Sequence, residues 1–365
     1  MAKFRVGYID MVRGFTMLWV VCLHLELSIG IANDFRMPIL FFVSGIFFKI
    51  RPFPEFFVRK TNMIFVPLIF FWMITWVCAV LKNEFIPVNF NLSQVDWGSV
   101  FSILSKYSYL SITVLWFLMV LYVSNLFFYP LVKYLKRTYV LLFCGVLYLT
   151  ATYIDNYIQI PLFTLWRFLS YQLFFVLGIY FGRTLLEWIA KNTKQTYIVL
   201  IVCLLVFITS QVIDWQAPYF NKVPQRIYNF PPSISLIIML FWLFSKLEKF
   251  KVMEFFRFFG ANSLTIYASH MIIVEYLFIS LLFPYVSRYV DIEAYRTLYG
   301  WFTFFLLCGI GCVFINLFNR YLPQFVGKKD FFKTPESKIK PVIEKPILAV
   351  QDIQDNTNCR IPGKN

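Results

Sequence analysis

Charge is scarce in this 365-residue chain: Asp, Glu, Lys and Arg together make up only 15% of it, too little for the surface of a water-soluble globule of this length. Histidine is scarcer still, occurring only as His24 and His270. The seven cysteines lack the paired spacing of a metal site, and Cys22, Cys78, Cys144, Cys203, Cys308 and Cys312 all lie inside apolar runs, where they read as small buried hydrophobes. No internal repeat is visible, which counts against the repeat-built transporter folds. A small-residue cleavage site is also missing after the charged opening MAKFRVGYIDMVRG, so the first helix is expected to be retained rather than removed as a signal peptide. The formal charge of +15 does not imply nucleic-acid binding, because the basic residues are scattered between apolar runs instead of forming one patch.

What the chain has in abundance is apolar and aromatic side chains, 59% and 21% of its residues. A bilayer is the solvent that suits them, with aromatic rings gathering at the headgroup level. The sequence predicts an all-α, polytopic membrane protein of about ten spans, at Gly14 to Ile31, Phe35 to Ile50, Met63 to Leu81, Ile112 to Val132, Tyr139 to Ile154, Phe168 to Leu186, Tyr197 to Ile213, Pro232 to Phe244, Ser263 to Phe283 and Leu298 to Phe318. With both termini cytoplasmic, 26 of the 34 Lys and Arg fall on the inner side and 8 on the outer, and the bias holds loop by loop. Residues 1–325 form the membrane domain on this reading, and 326–365 a polar, flexible cytoplasmic tail. The largest outer loops, about 82–111, 155–167 and 214–231, carry Asn89, Asn91, Trp97, Trp166, Asp214, Trp215 and Tyr219, groups that suit either a sugar or an interfacial aromatic belt.

Ionisable groups inside spans are costly and so direct attention to function. In the first span, Asp10, Arg13 and His24 share one face: the eleven-residue step from Arg13 to His24 closes to within ~20° of whole turns, and the fourteen-residue step from Asp10 to within ~40°. The stripe carries a guanidinium at the cytoplasmic edge and an imidazole ~16 Å above it. That spacing fits an anionic ligand held at the edge with its reactive end at an acid/base group. It equally fits an Arg13 that only anchors the helix and a His24 that only bonds a neighbouring helix. Arg36 opens the second apolar run, as an acceptor contact or as a partner of Asp34, and Ser44 with Gly45 marks close helix packing or a polar contact. Arg51, Arg59 and Lys60 follow on the inner side, as ligands for a donor's phosphates or as positive-inside anchors. In the ninth span Ser263, Tyr267 and His270 fall at i, i+4 and i+7, a second polar stripe that must face protein or a cavity.

DMVRG with His24 following Arg13 after ten residues, FRMPILFFVSGIFFK, LWFLMVLYVS from Leu115, FFVLGIYFGR ending at Arg183 and FGANSLTIYASH ending at His270 together resemble acyltransferase family three, the bacterial integral-membrane enzymes that O-acylate cell-surface carbohydrates. The resemblance runs from Tyr8 to about Phe318. It implies a ten-helix fold in the inner membrane, an acyl-coenzyme A donor (most often acetyl-CoA) arriving from the cytoplasm, a carbohydrate acceptor, and His24 with Arg13 as essential residues. Acyl transfer to a hydroxyl needs a base for its proton and positive charge for the donor and the oxyanion, which makes His24 the expected general base, Arg13 a donor-phosphate or orienting contact, and Arg36 an acceptor or oxyanion contact, with Asp10, Ser44, Tyr267 and His270 as further candidates. Transfer of succinyl groups to periplasmic glucans, and a non-enzymatic polysaccharide exporter, are the alternatives. Neither a bound cofactor nor a metal is expected.

Overall fold

Each of the ten apolar runs overlaps a helix within the described residues, though those from Gly14, Phe35 and Ser263 do so only in part, and two more helices occupy segments expected to be inner loops. The structure, a computed structural model, describes residues 7–25, 27, 35–80, 97–157, 163–212, 225–274 and 296–335, and among them there is no strand. In chain order the helices are α1 (Gly7–His24), α2 (Arg36–Ile46), α3 (Phe53–Lys60), α4 (Val66–Val80), α5 (Trp97–Tyr134), α6 (Arg137–Tyr157), α7 (Phe163–Lys191), α8 (Lys194–Val212), α9 (Gln225–Leu247), α10 (Glu254–Ala261), α11 (Ser263–Met271) and α12 (Arg296–Tyr321). Six helical segments, from Phe53–Cys78 to Thr297–Tyr321, are long and apolar enough to cross a bilayer, which makes this a multi-pass membrane protein. The Arg36–Ile46, Arg137–Ala151 and Ser263–Val274 helices are apolar but shorter. In α1, ~27 Å long, the apolar run is interrupted by Asp10, Arg13 and His24.

Some boundaries differ from the sequence reading for local reasons. The expected outer loop at 82–111 is helical from Trp97 onward, because its Ser, Lys and Tyr residues extend α5 without a Pro or a run of turn residues to stop it. The loops at 155–167 and 214–231 likewise shrink as α6, α7 and α9 extend into them, so that Trp97 and Trp166 sit on helices. Helix α9 carries Pro231 and Pro232 in its interior, where Ser233 Oγ donates to Asn229 O. Asp34, Asn89, Asn91, Asp214, Trp215 and Tyr219 lie outside the described residues, as does the tail beyond 335.

Two glycine pairs set the packing around α1. A Cβ on Gly14 would lie 1.9 Å from Phe256 O, and one on Gly260 would lie 1.6 Å from Asp10 O, so α1 and α10 touch backbone to backbone. The same occurs between α2 and α7, where a Cβ on Gly45 or Gly178 would lie 2.1 Å from the opposite carbonyl oxygen. Small residues allow this approach, and dispersion between the close backbones is what rewards it inside a bilayer. The start of α1 is fixed separately: the Gly7 and Tyr8 N–H groups donate to the Glu248 carboxylate, which Arg257 also contacts at 3.3 Å. Burial pushes the Glu248 carboxyl above its ordinary pKa, and the Arg257 charge and the two N–H donors pull against that shift.

The chain after α12 folds back as a strap. In front of Pro67 the helix loosens into one π turn, Thr61–Phe65, in which the Val66 N–H reaches back to Thr61 O. The buried Asn62 side chain on this turn donates to Phe332 O and accepts from Phe332 N, both at 2.8 Å, while Phe325 stacks on Phe70 at 4.6 Å. Gly327, at φ +68°, passes over Met63 where a side chain would be strained. Lys328 Nζ donates to Ala261 O at the end of α10, so this stretch, though largely exposed, is tied to α10 as well as to the π turn. Asn62→Ala removes both strap bonds and leaves the facing backbone groups unpaired. It is expected to lower stability by ~2–3 kcal/mol and to open the strap to protease, read by thermal unfolding and limited proteolysis in detergent.

Candidate functional site

The α1 stripe is walled by α2 and α11. Helix α2 runs antiparallel to it: Arg36, at its start, donates to Trp19 O at 3.4 Å, and the Phe47 ring beyond its end lies 5.9 Å from the Arg13 guanidinium. Being only 11 residues, ~16 Å, α2 brings Arg36 to the depth of the upper half of α1. Arg36 is 5% exposed, and its charge reaches both His24 and Cys22. Helix α11 runs parallel to α1. Its first residue, Ser263, accepts a 2.6 Å bond from Arg13 Nη2, and its next-to-last, His270, places its ring centroid 5.1 Å from that of His24. The two polar stripes read in the sequence therefore face each other, and the only two histidines of the chain meet at one end.

Each end has its own character. Below, Arg13 is held by buried Asp10 at 3.4 Å and by Ser263, which fixes the direction of its fork while leaving the side chain 30% exposed. Above, His24 closes α1, where the helix loosens and the Leu27 N–H reaches back five residues to Cys22 O. His24 is accessible and His270 is sealed at 1% exposure. His270 Nδ1 lies 2.6 Å from Tyr267 O and 3.2 Å from Ile266 O. Both are carbonyl oxygens, which only accept, so the ring proton is on Nδ1. Nε2 is left as an acceptor with no partner among the described residues. The Tyr267 hydroxyl accepts the Phe117 N–H at 3.2 Å, a bond that places α11 against α5.

Ser44, Arg51, Arg59 and Lys60 are held by partners away from these two stripes. Ser44 Oγ donates to the Leu40 carbonyl of its own helix, and Gly45 beside it carries the contact with α7. Arg51 and Arg59 both bind buried Glu55, at 2.6 and 3.0 Å, and the Lys60 ammonium lies over the adjoining Phe48 and Phe56 rings, 5.8 and 5.6 Å from their centroids. A phosphate reaching Arg51 or Arg59 would compete with that carboxylate. Glu55 stands at i+4 from Arg51 and i−4 from Arg59, a spacing that signals this clamp in the sequence. Among the described residues no group of three His, Cys, Asp or Glu side chains is placed to share a metal ion, and the six described cysteines are free.

An accessible imidazole beside a sealed one, with a fixed guanidinium at the other end of the same helix face, is chemically able to do acid/base work on a ligand with an anionic part. Comparison with known proteins is consistent with that. Residues 6–320 match the acyltransferase domain that defines acyltransferase family three. No curated protein and no solved structure matches the chain. The match takes in α1 to α12 almost entirely, including both histidine stripes: the chain belongs to acyltransferase family three and is a multi-pass membrane acyltransferase.

Proposed function

We propose that this acyltransferase moves an acetyl group from acetyl-CoA to a hydroxyl of a bacterial cell-surface or lipid-linked polysaccharide, such as an O-antigen or capsule. It works in the inner membrane, with about ten spans and both termini in the cytoplasm; the uneven split of Lys and Arg supports that orientation. The observation that carries the reading is that the two stripes face each other, Arg13 bonded to Ser263 at one end and His24 beside His270 at the other; on this reading Arg13 meets the donor and His24 the reacting groups. A neutral imidazole is a proton acceptor, so His24 can take the proton of the attacking hydroxyl and return it to the departing coenzyme A sulfur. Arg13, pinned by Asp10 and Ser263, meets a donor phosphate without reorganising, and Arg36 stands near His24 for the acceptor or for the charge developing on the thioester oxygen.

The test uses inverted and right-side-out membrane vesicles supplied with radiolabelled acetyl-CoA or succinyl-CoA. Label is expected in the glycan fraction from acetyl-CoA, and only when the cytoplasmic face is open to the donor. Incorporation of succinate instead would reassign the acyl group, and incorporation from neither donor would contradict the reading.

A further inference from the structure

The sealed acceptor on His270 is not used by the mechanism above. A buried ring nitrogen without a partner is uncommon in folded proteins and calls for a physical reason. Its tautomer is fixed from behind: with the proton held on Nδ1 by Tyr267 O and Ile266 O, Nε2 presents a lone pair and needs an N–H or O–H in front of it. Because the atom is shut off from solvent, a donor from the protein itself suits it better than a freely diffusing substrate. His24 is the adjacent candidate. Ring nitrogens lie roughly 1.1 Å from the ring centroid, so centroids 5.1 Å apart permit an N–H···N bond of about 2.9 Å once the rings, now tilted by 43°, turn to face each other. His24 has the freedom to turn, being accessible and at the loosened end of α1. Catalytic hydrogen bonds are often long or misaligned before substrate binds.

Resting on the proposed role of His24 as base, we infer that His270 is a positioning residue: its Nε2 accepts one N–H of His24 and so keeps the opposite nitrogen of His24 bare and aimed at the acceptor hydroxyl. The proton balance is complete within the donor and acceptor. The bare nitrogen takes the hydroxyl proton as the oxygen–carbon bond forms, and the thioester carbon–sulfur bond then breaks. The same proton leaves with the coenzyme A thiol, and His24 returns to the neutral tautomer that His270 selects. His270 keeps its own proton on Nδ1 throughout. The arrangement has the logic of a base oriented by a third group, with a neutral imidazole in the place usually taken by a carboxylate.

Three substitutions separate this role from a packing role. His270→Asn can still donate to Tyr267 O but has nothing at the Nε2 position; His270→Gln puts an amide oxygen there; His270→Met has the length of glutamine without that oxygen. Acetyl transfer to the endogenous glycan is measured in membranes. The purified full chain, labelled with 15N-histidine, reports ring tautomers by NMR, and with two histidines His24→Ala assigns the signals. H270N and H270M are expected to lose about 10- to 100-fold in turnover with the KM for acetyl-CoA little changed, and H270Q less than about 10-fold. The His24 ring should show one tautomer in the wild type and in H270Q, and a mixture in H270N. Should H270N fail to fold, the contrast between H270Q and H270M carries the test. Full activity in H270N or H270M, or a single unchanged His24 tautomer in either, would overturn the inference. Retention of transfer in H24A would instead overturn the base assignment, and the tautomer measurement still reports whether the two rings pair.

Discussion

Replacing His24 with alanine is expected to lower acyl transfer by about 10²- to 10⁴-fold, the range associated with losing a general base, while leaving the protein folded. The second half of this expectation is as specific as the first. His24 is accessible at the end of α1, and the Asp10, Arg13, Gly14 and Glu248 contacts that fix the helix lie turns away. Truncation there creates no buried cavity and its loss is confined to the contact with His270, so thermal unfolding in detergent is expected to fall by no more than about 1–2 kcal/mol from the wild type. Acetyl-CoA binding, measured separately, should persist, because the anionic part of the donor is assigned to the Arg13 end. A variant that loses donor binding together with transfer would place His24 in recognition rather than in proton transfer.

The largest structural effect is expected at Gly260. A methyl group there would meet Asp10 O at 1.6 Å, and its reciprocal, Gly14, would meet Phe256 O at 1.9 Å. In both cases the obstacle is backbone, which cannot rotate away as a flexible side chain can. Overpacking of this kind costs about 1–3 kcal/mol and sometimes more, a large share of the marginal stability of a folded chain. Gly260→Ala is therefore expected to lower the midpoint of thermal unfolding clearly, and Gly260→Val to prevent accumulation of folded protein. The loss should reach function before it reaches the fold, since the carbonyl that Gly260 presses on belongs to Asp10, whose carboxylate holds Arg13. Gly145 is the control: a Cβ there meets nothing within 4 Å, so Gly145→Ala is expected to be neutral or to gain the ~1 kcal/mol of helix propensity that alanine brings. Equal losses at both positions would show that the α1–α10 contact is not the constraint assigned to it.

The all-helical, membrane-spanning character and both polar stripes were legible in the sequence, because hydropathy and the 3.6-residue period are local properties. That the stripes meet was not. The meeting depends on the bond between Arg13 and Ser263, 250 residues apart, and on the contact of Gly14 with Gly260, neither of which leaves a local trace. Helices α3 and α10 were hidden because FPEFFVRK and EFFRFFGA mix charge and aromatics over eight residues, too short a window for periodicity to show. The distinction between the two imidazoles was equally hidden. It comes from the carbonyls of Ile266 and Tyr267, and backbone acceptors carry no residue identity.

With His24 as the base of acyl transfer to a surface glycan, the deciding measurement is mass spectrometry of surface polysaccharide from cells carrying either the wild-type chain or H24A at equal abundance. Glycan of normal amount and length is expected in both, with the acetyl mass increment present in the first and missing from the second. Surface glycan that disappears in H24A while intracellular glycan keeps its acyl groups would contradict the assignment of His24 as base, and would make the facing stripes part of an export path.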